Sequence, residues 1–152
     1  MLVDGSDPAS PVLLSPLGAI QDPALTDCGG LRIHKSTLYC LQEYDGLAFA
    51  DISDPSAPFL TAFIHKTDIP GMGSPAYSFF EVYDNLLYIL NYSGSIAVLD
   101  VVTPTMPVVV GYQPPPQLEP LPAQGAGSLD YDSGILAAVY PGFGGLDSPR
   151  RL

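Results

Sequence analysis

Asp51-Ile-Ser-Asp-Pro55-Ser-Ala-Pro58-Phe-Leu60 decides the fold, because the chain writes it again as Asp100-Val-Val-Thr-Pro104-Thr-Met-Pro107-Val-Val109. A further copy stands near the start, Asp4-Gly-Ser-Asp-Pro8-Ala-Ser-Pro11-Val-Leu13. All of them keep a D-x-x-x-P-x-x-P frame. From Pro55 to Pro104 is 49 positions, and the same offset carries Leu31 onto Phe80, Tyr39 onto Tyr88 and Phe80 onto Leu129. That register holds without a gap from Leu31 to about Val139. The first copy needs an offset of 47, from Pro8 to Pro55, so the connection behind it is two residues shorter. Such a period marks a repeat architecture.

Each repeat divides into short apolar segments: 29–34, 37–43, 47–52 and 58–63, then 78–83, 86–92, 96–101 and 107–112. Lys35-Ser36, Asp84-Asn85 and Ser133-Gly134 fill the first linker of successive repeats, and Asp45-Gly46 and Gly94-Ser95 the second. These are hairpin-turn sequences. Four meandering strands per repeat are the unit of a β-propeller blade. Runs such as Leu86-Leu-Tyr-Ile-Leu90 and Leu47-Ala-Phe-Ala50 are apolar at consecutive positions, so both faces of each sheet are expected to be covered. The composition agrees: 17 Pro and 15 Gly crowd the turns, and only 14% of residues are charged, against about 25% usually.

Leu47-Ala-Phe-Ala-Asp-Ile-Ser-Asp-Pro-Ser-Ala-Pro58 and Ile96-Ala-Val-Leu-Asp100, preceded by Leu38-Tyr-Cys-Leu41 and Leu87-Tyr-Ile-Leu90, resemble LVIVD repeats. The resemblance covers most of the chain. It implies β-propeller blades, often in surface or exported proteins, without a common catalytic site. The departures are Gly5 in the first copy, Thr103 in place of Asp54, and a last repeat that stops early.

The expected fold is all-β, a partial propeller of about three blades. Residues 1–27 give the end of one blade and a connecting loop, 28–75 and 76–125 a blade each, and 126–152 an incomplete blade. Met1-Leu-Val3 reads as the end of a third strand and 11–15 as a fourth, while 127–132 and 135–140 read as a first and a second. Propellers usually close with four to eight blades. Two explanations stay open: a piece of a longer propeller, or two chains joined as a homodimer into a six-bladed ring.

Five Lys/Arg against sixteen Asp/Glu leave a net charge of −11. That excludes the basic surface nucleic acid requires and disfavours anionic membranes. No apolar run is long enough to insert in a membrane, and the first residues lack the basic and apolar regions of a signal peptide. Localisation stays open, with an exported parent implied by the resemblance. Cys28 and Cys40 are expected to be unbridged, because the hairpin register places Cys40 opposite Leu31.

Catalytic chemistry finds little footing. There is no G-x-S-x-G elbow; His34 and His65, read as loop or turn positions, have no metal-ligand spacing. Asp130-Tyr-Asp-Ser-Gly134 begins like a calcium loop without its later ligands and reads as a turn. Asp4, Asp51 and Asp100 recur at one position, so they read as turn-stabilising acceptors. No catalytic residue, cofactor or metal is assigned. The expected role is a non-catalytic scaffold binding a protein or small ligand, at the face where the second turns and the inter-blade connections emerge together. The candidate residues there are Tyr44, Asp45, His65, Lys66, Asp68, Tyr92, Ser93 and Glu119. The rival reading is part of a hydrolase-like propeller enzyme whose active site lies in other blades. Its mark would be titratable groups converging at the ring centre, where the first strands read Leu31, Ile33, Phe80, Val82, Leu129 and Tyr131, with Arg32, Glu81 and Asp130 as exceptions.

Overall fold

The protein, seen in a computed structural model, is described over residues 2–15, 28–42, 45–72, 79–91, 94–115 and 128–139. These residues are all-β and contain no α-helix. Strands β3 (Cys28–His34), β4 (Thr37–Gln42), β5 (Gly46–Asp51) and β6 (Phe59–His65) form one antiparallel sheet in chain order. Strands β7 (Phe79–Tyr83), β8 (Leu86–Leu90), β9 (Ile96–Asp100) and β10 (Val108–Gln113) form a second with the same order. Two hairpins flank them, β1 (Leu2–Asp4) with β2 (Val12–Ser15), and β11 (Ser128–Asp132) with β12 (Ile135–Val139).

The repeat survives at the level of register. His34↔Thr37, Tyr83↔Leu86 and Asp132↔Ile135 each close a two-residue turn. Its first residue is left-handed in all three: Lys35 (φ 55), Asp84 (φ 52) and Ser133 (φ 49). That is what a primed hairpin turn requires of its leading position. A bulged residue also recurs in each fourth strand: Leu14, Thr61 and Val110 are each skipped by the pairing. Bulges of this kind twist a strand away from its neighbours, and β6 and β10 are sheet edges, where such a twist discourages foreign pairing.

The second linkers differ from expectation. Gly46 pairs with Gln42, so it opens β5 instead of turning the chain. At the matching place Leu90 pairs with Ile96, and Asn91 N–H donates to Ser95 O (2.8 Å), making a longer loop. Gly46 has φ +151, a value reserved for glycine at a close approach of backbones.

The Asp-Pro turns are built as the repeat implies. Asp4, Asp51 and Asp100 each accept the N–H two residues on, from Ser6 (2.9 Å), Ser53 (2.7 Å) and Val102 (2.8 Å). Asp7 and Asp54 repeat the device with Ala9 and Ser56. Thr103 lacks the carboxylate, and the turn there keeps the backbone bond from Met106 N–H to Thr103 O (2.8 Å). Backbone donors to Asp4 and Asp51, and the Ser56 hydroxyl and N–H to Asp54, hold these carboxyls below the usual range. A carboxyl depressed by folding adds stability above its unfolded pKa, about 3.9, and loses it as pH falls through the folded value. The urea midpoint should therefore drop more steeply below about pH 4 in the native chain than in an Asp4→Asn, Asp51→Asn, Asp54→Asn variant. Identical slopes would refute this.

The core lies between the sheets. Tyr39 and Leu41 of β4 and Leu47 and Phe49 of β5 meet Phe80, Leu87, Ile89, Ala97 and Leu99 of the second sheet. Tyr39 packs edge-on against Phe49, centroids 5.3 Å apart. The other face of the second sheet, with Tyr88 and Leu90, packs on Tyr131 and Leu136 of the last hairpin. Tyr131 stacks on Tyr88 at 5.0 Å and stands 4.4 Å from Tyr83. The second sheet is thus covered on both faces.

The cysteine expectation is overturned: Cys28 and Cys40 are bridged, with Cα atoms 5.5 Å apart. Leu31 does pair with Cys40, but the register shifts between Cys28 and Gly30, which places Cys28 opposite Gln42. The bulge at Gly29 moves Cys28 onto the face that Gln42 shares with Cys40. Strand alternation alone would have put it on the other face.

Candidate functional site

Part of the expected binding face is assembled by the backbone. Asp45 O accepts the N–H of Lys66 (2.9 Å), which ties the β4–β5 reversal to the connection leaving β6. Lys66–Asp68 makes a single 3₁₀ turn, closed by Ile69 N–H to Lys66 O (3.2 Å). Ile69 and Met72 are buried in the layer between the sheets and pin that connection. Gly71 takes φ +81 and crosses so near the second sheet that a Cβ would run into Ser95 Oγ and lie 2.8 Å from Tyr112 Cε2. Exposed Asp45, His65 and Asp68 and half-buried Lys66 therefore share one end of the sheets, the end where the β8–β9 loop emerges. The ring of His65 leans edge-on against Phe63 at 4.9 Å. Tyr44, Tyr92, Ser93 and Glu119 lie outside the described residues.

Two residues at this end escaped the sequence reading. Gln42 and Asn91 are 49 positions apart, close equivalent second strands, and are buried. Among the described residues, both polar atoms of the Gln42 side chain and Nδ2 of Asn91 find no hydrogen-bond partner. A buried amide left this way costs roughly 1–3 kcal/mol, and water or a ligand group would recover it. The signal was present, a polar residue ending an apolar run at the repeat spacing.

A second cluster lies on the first strands, where β3 runs beside β7 and β7 beside β11. Arg32 Nε donates to Glu81 Oε1 (2.7 Å), Nη2 donates to the same oxygen, and the guanidinium stands 5.7 Å from the Phe80 ring centroid. That hydrogen bond to Glu81 raises the Arg32 pKa further. Lys35 Nζ donates to Asn85 Oδ1 (3.0 Å) one step along. Asp130 accepts the Tyr131 N–H (2.9 Å) within β11, and Asp132 accepts from Ser133 Oγ (3.1 Å) at the turn. The apolar first-strand positions do not line this row. Phe80 and Val82 point into the layer between sheets, because strand alternation gives them the face opposite Glu81. Among the described residues no cluster of three His, Cys, Asp or Glu could hold a metal ion.

No protein-family model, curated protein or solved structure matches the chain.

Proposed function

We propose that this chain is a non-catalytic β-propeller repeat module of LVIVD type. It binds a protein or small ligand at the end of the sheets that carries Asp45, His65, Lys66 and Asp68. The observation that carries the reading is the Asp45–Lys66 backbone bond, which gathers loops of mixed charge on a scaffold with a dry core. Loops held over rigid sheets are where proteins of this build put recognition. The buried Gln42 and Asn91 amides beneath the same end, without a partner among the described residues, support it. The titratable groups on the first strands favour no enzyme, since Arg32 and Glu81 are spent on each other. The Cys28–Cys40 bridge supports an exported parent, because disulfides persist in oxidising compartments.

The test is a comparison of the two ends of the sheets. A partner captured from host extract and then purified should bind Tyr44→Ala, Tyr92→Ala and Lys66→Ala, Asp68→Ala variants about tenfold or more weakly, at unchanged melting temperature. Met106→Ala, in an Asp-Pro type turn at the far end, should bind as the native chain does. Equal losses at both ends, or none at the loop end, would remove the proposal.

A further inference from the structure

Tyrosines gather where the second sheet packs on the last hairpin. Tyr83 ends β7, Tyr88 lies in β8 and Tyr131 in β11. The Tyr131 ring stands 4.4 Å from that of Tyr83, tilted at 42°, and 5.0 Å from that of Tyr88, at 21°. Rings this close touch through their edges or faces. Tyr88 is buried, Tyr131 is half-buried, and Tyr83, 42% exposed, opens the group to solvent.

The repeat accounts for Tyr88 alone. Tyr88 lies 49 positions beyond Tyr39, and both are buried. Tyr83 stands where the same offset gives His34 and Asp132, and Tyr131 where it gives Ile33 and Val82. An aliphatic side chain is enough at that second place, since Val82 fills it against the first sheet. Two phenols side by side are therefore an addition to the repeat, made at one layer among the described residues. It is also the layer with less to hold it. Between the first and second sheets lie Tyr39, Leu41, Phe49, Phe80, Leu87 and Ile89, and the Arg32–Glu81 ion pair crosses beside them. Between the second sheet and the last hairpin, the fully buried side chains described are Tyr88 and Leu90.

We propose that Tyr83 and Tyr131 form an oxidative modification site, where a haem peroxidase using hydrogen peroxide couples them into a dityrosine that ties the second sheet to the last hairpin. Each phenol gives up one electron and one proton. The two phenoxyl radicals join through ring carbons ortho to their hydroxyls, and the hydrogen on each joined carbon moves to oxygen, restoring both phenols. Two electrons and two protons leave the pair and reduce one hydrogen peroxide to two waters. Oxidation enters at exposed Tyr83, whose radical takes an electron from Tyr131 across the ring contact; Tyr83 is then oxidised again. Rings already held together couple faster than either can find another phenol. The new bond closes a long loop of chain, as a disulfide does, and restricts the unfolded state in the same way. None of this depends on the loop-end binding site.

The test treats dilute purified chain with a haem peroxidase and hydrogen peroxide, and follows dityrosine fluorescence and mass. A single-chain product lighter by two hydrogen atoms should form, and its digest should contain the Tyr83 and Tyr131 peptides joined. Tyr83→Phe and Tyr131→Phe chains should form such a product roughly tenfold or more slowly. Tyr112→Phe changes a tyrosine as exposed as Tyr83, at 45%, and should react as the native chain does. Tyr88→Phe should keep the product, because its ring still supports Tyr131. The linked chain should melt roughly 10 °C above the unlinked one. A native digest joined chiefly through other tyrosines overturns the assignment whether or not the variants fold. So does cross-linking between chains only, a link that forms as fast in urea-unfolded protein, or a melting temperature that the link leaves unmoved.

Discussion

Gly46→Ala should remove roughly 3–5 kcal/mol of stability, most of what a small domain has in reserve. Two costs add. The backbone at Gly46 takes φ +151, which other residues adopt only with about 1–3 kcal/mol of strain. A Cβ there would also run into the Ile64 carbonyl oxygen and come within 3.0 Å of His65 Cα, both backbone atoms of the neighbouring strand. Forcing β6 away costs another 1–3 kcal/mol or so, and moves Lys66, whose N–H is held by Asp45. Other glycines grade the effect. Gly134→Ala has open space but φ +85, so it should lose only about 1 kcal/mol. Gly5→Ala meets nothing within 4 Å and has an ordinary φ, so it should be neutral. Urea unfolding of the three variants decides the matter, and a Gly46→Ala chain within about 1 kcal/mol of native would contradict the close approach.

Period and turn chemistry carried most of the fold. The D-x-x-x-P-x-x-P frame places its carboxylates where a backbone N–H two residues on can reach them, so its repetition gave strand order and turn positions together. Strand ends fall within about two residues of those read from apolar runs, because each run stops at a turn-forming pair. Bulges were not legible. Leu14, Thr61 and Val110 share a structural place and no residue type, since a bulge in a fourth strand is set by the twist between sheets. The second turns were misplaced for a related reason: Asp45-Gly46 has hairpin composition, but Gly46 is needed for the passage of β6 and not for the reversal. At the site, repetition revealed Asp4, Asp51 and Asp100 as structural, and loop position alone suggested Asp45, His65, Lys66 and Asp68. Gln42 and Asn91 were hidden because a polar residue ending a strand usually faces water. Here both are buried, at 1% and 3% exposure.

Removing the disulfide should cost about 3 kcal/mol, close to the loop-closure value for a ring of this size, and lower the melting temperature by roughly 10 °C. Cys28→Ser is the cleaner variant, because Cys28 is exposed and its change leaves no cavity, whereas Cys40 is buried. Reducing the native protein should reproduce the same loss, and Cys28→Ser should then be insensitive to reductant. A native midpoint that does not move on reduction would mean the bridge contributes nothing. The effect should also be local. Gly29-Gly30 can be paired with β4 either straight or through the bulge, and only the bulged register brings Cys28 beside Cys40. A straight register would turn Cys28 to the other face. The bridge therefore selects between two pairings that two glycines would otherwise leave nearly balanced. In the reduced protein, amide exchange should accelerate at the Cys28 end of β3, while the β3–β4 pairs nearer the Lys35-Ser36 turn keep their protection. Uniform acceleration along β3 and β4 would show instead that the bridge acts only through the unfolded chain.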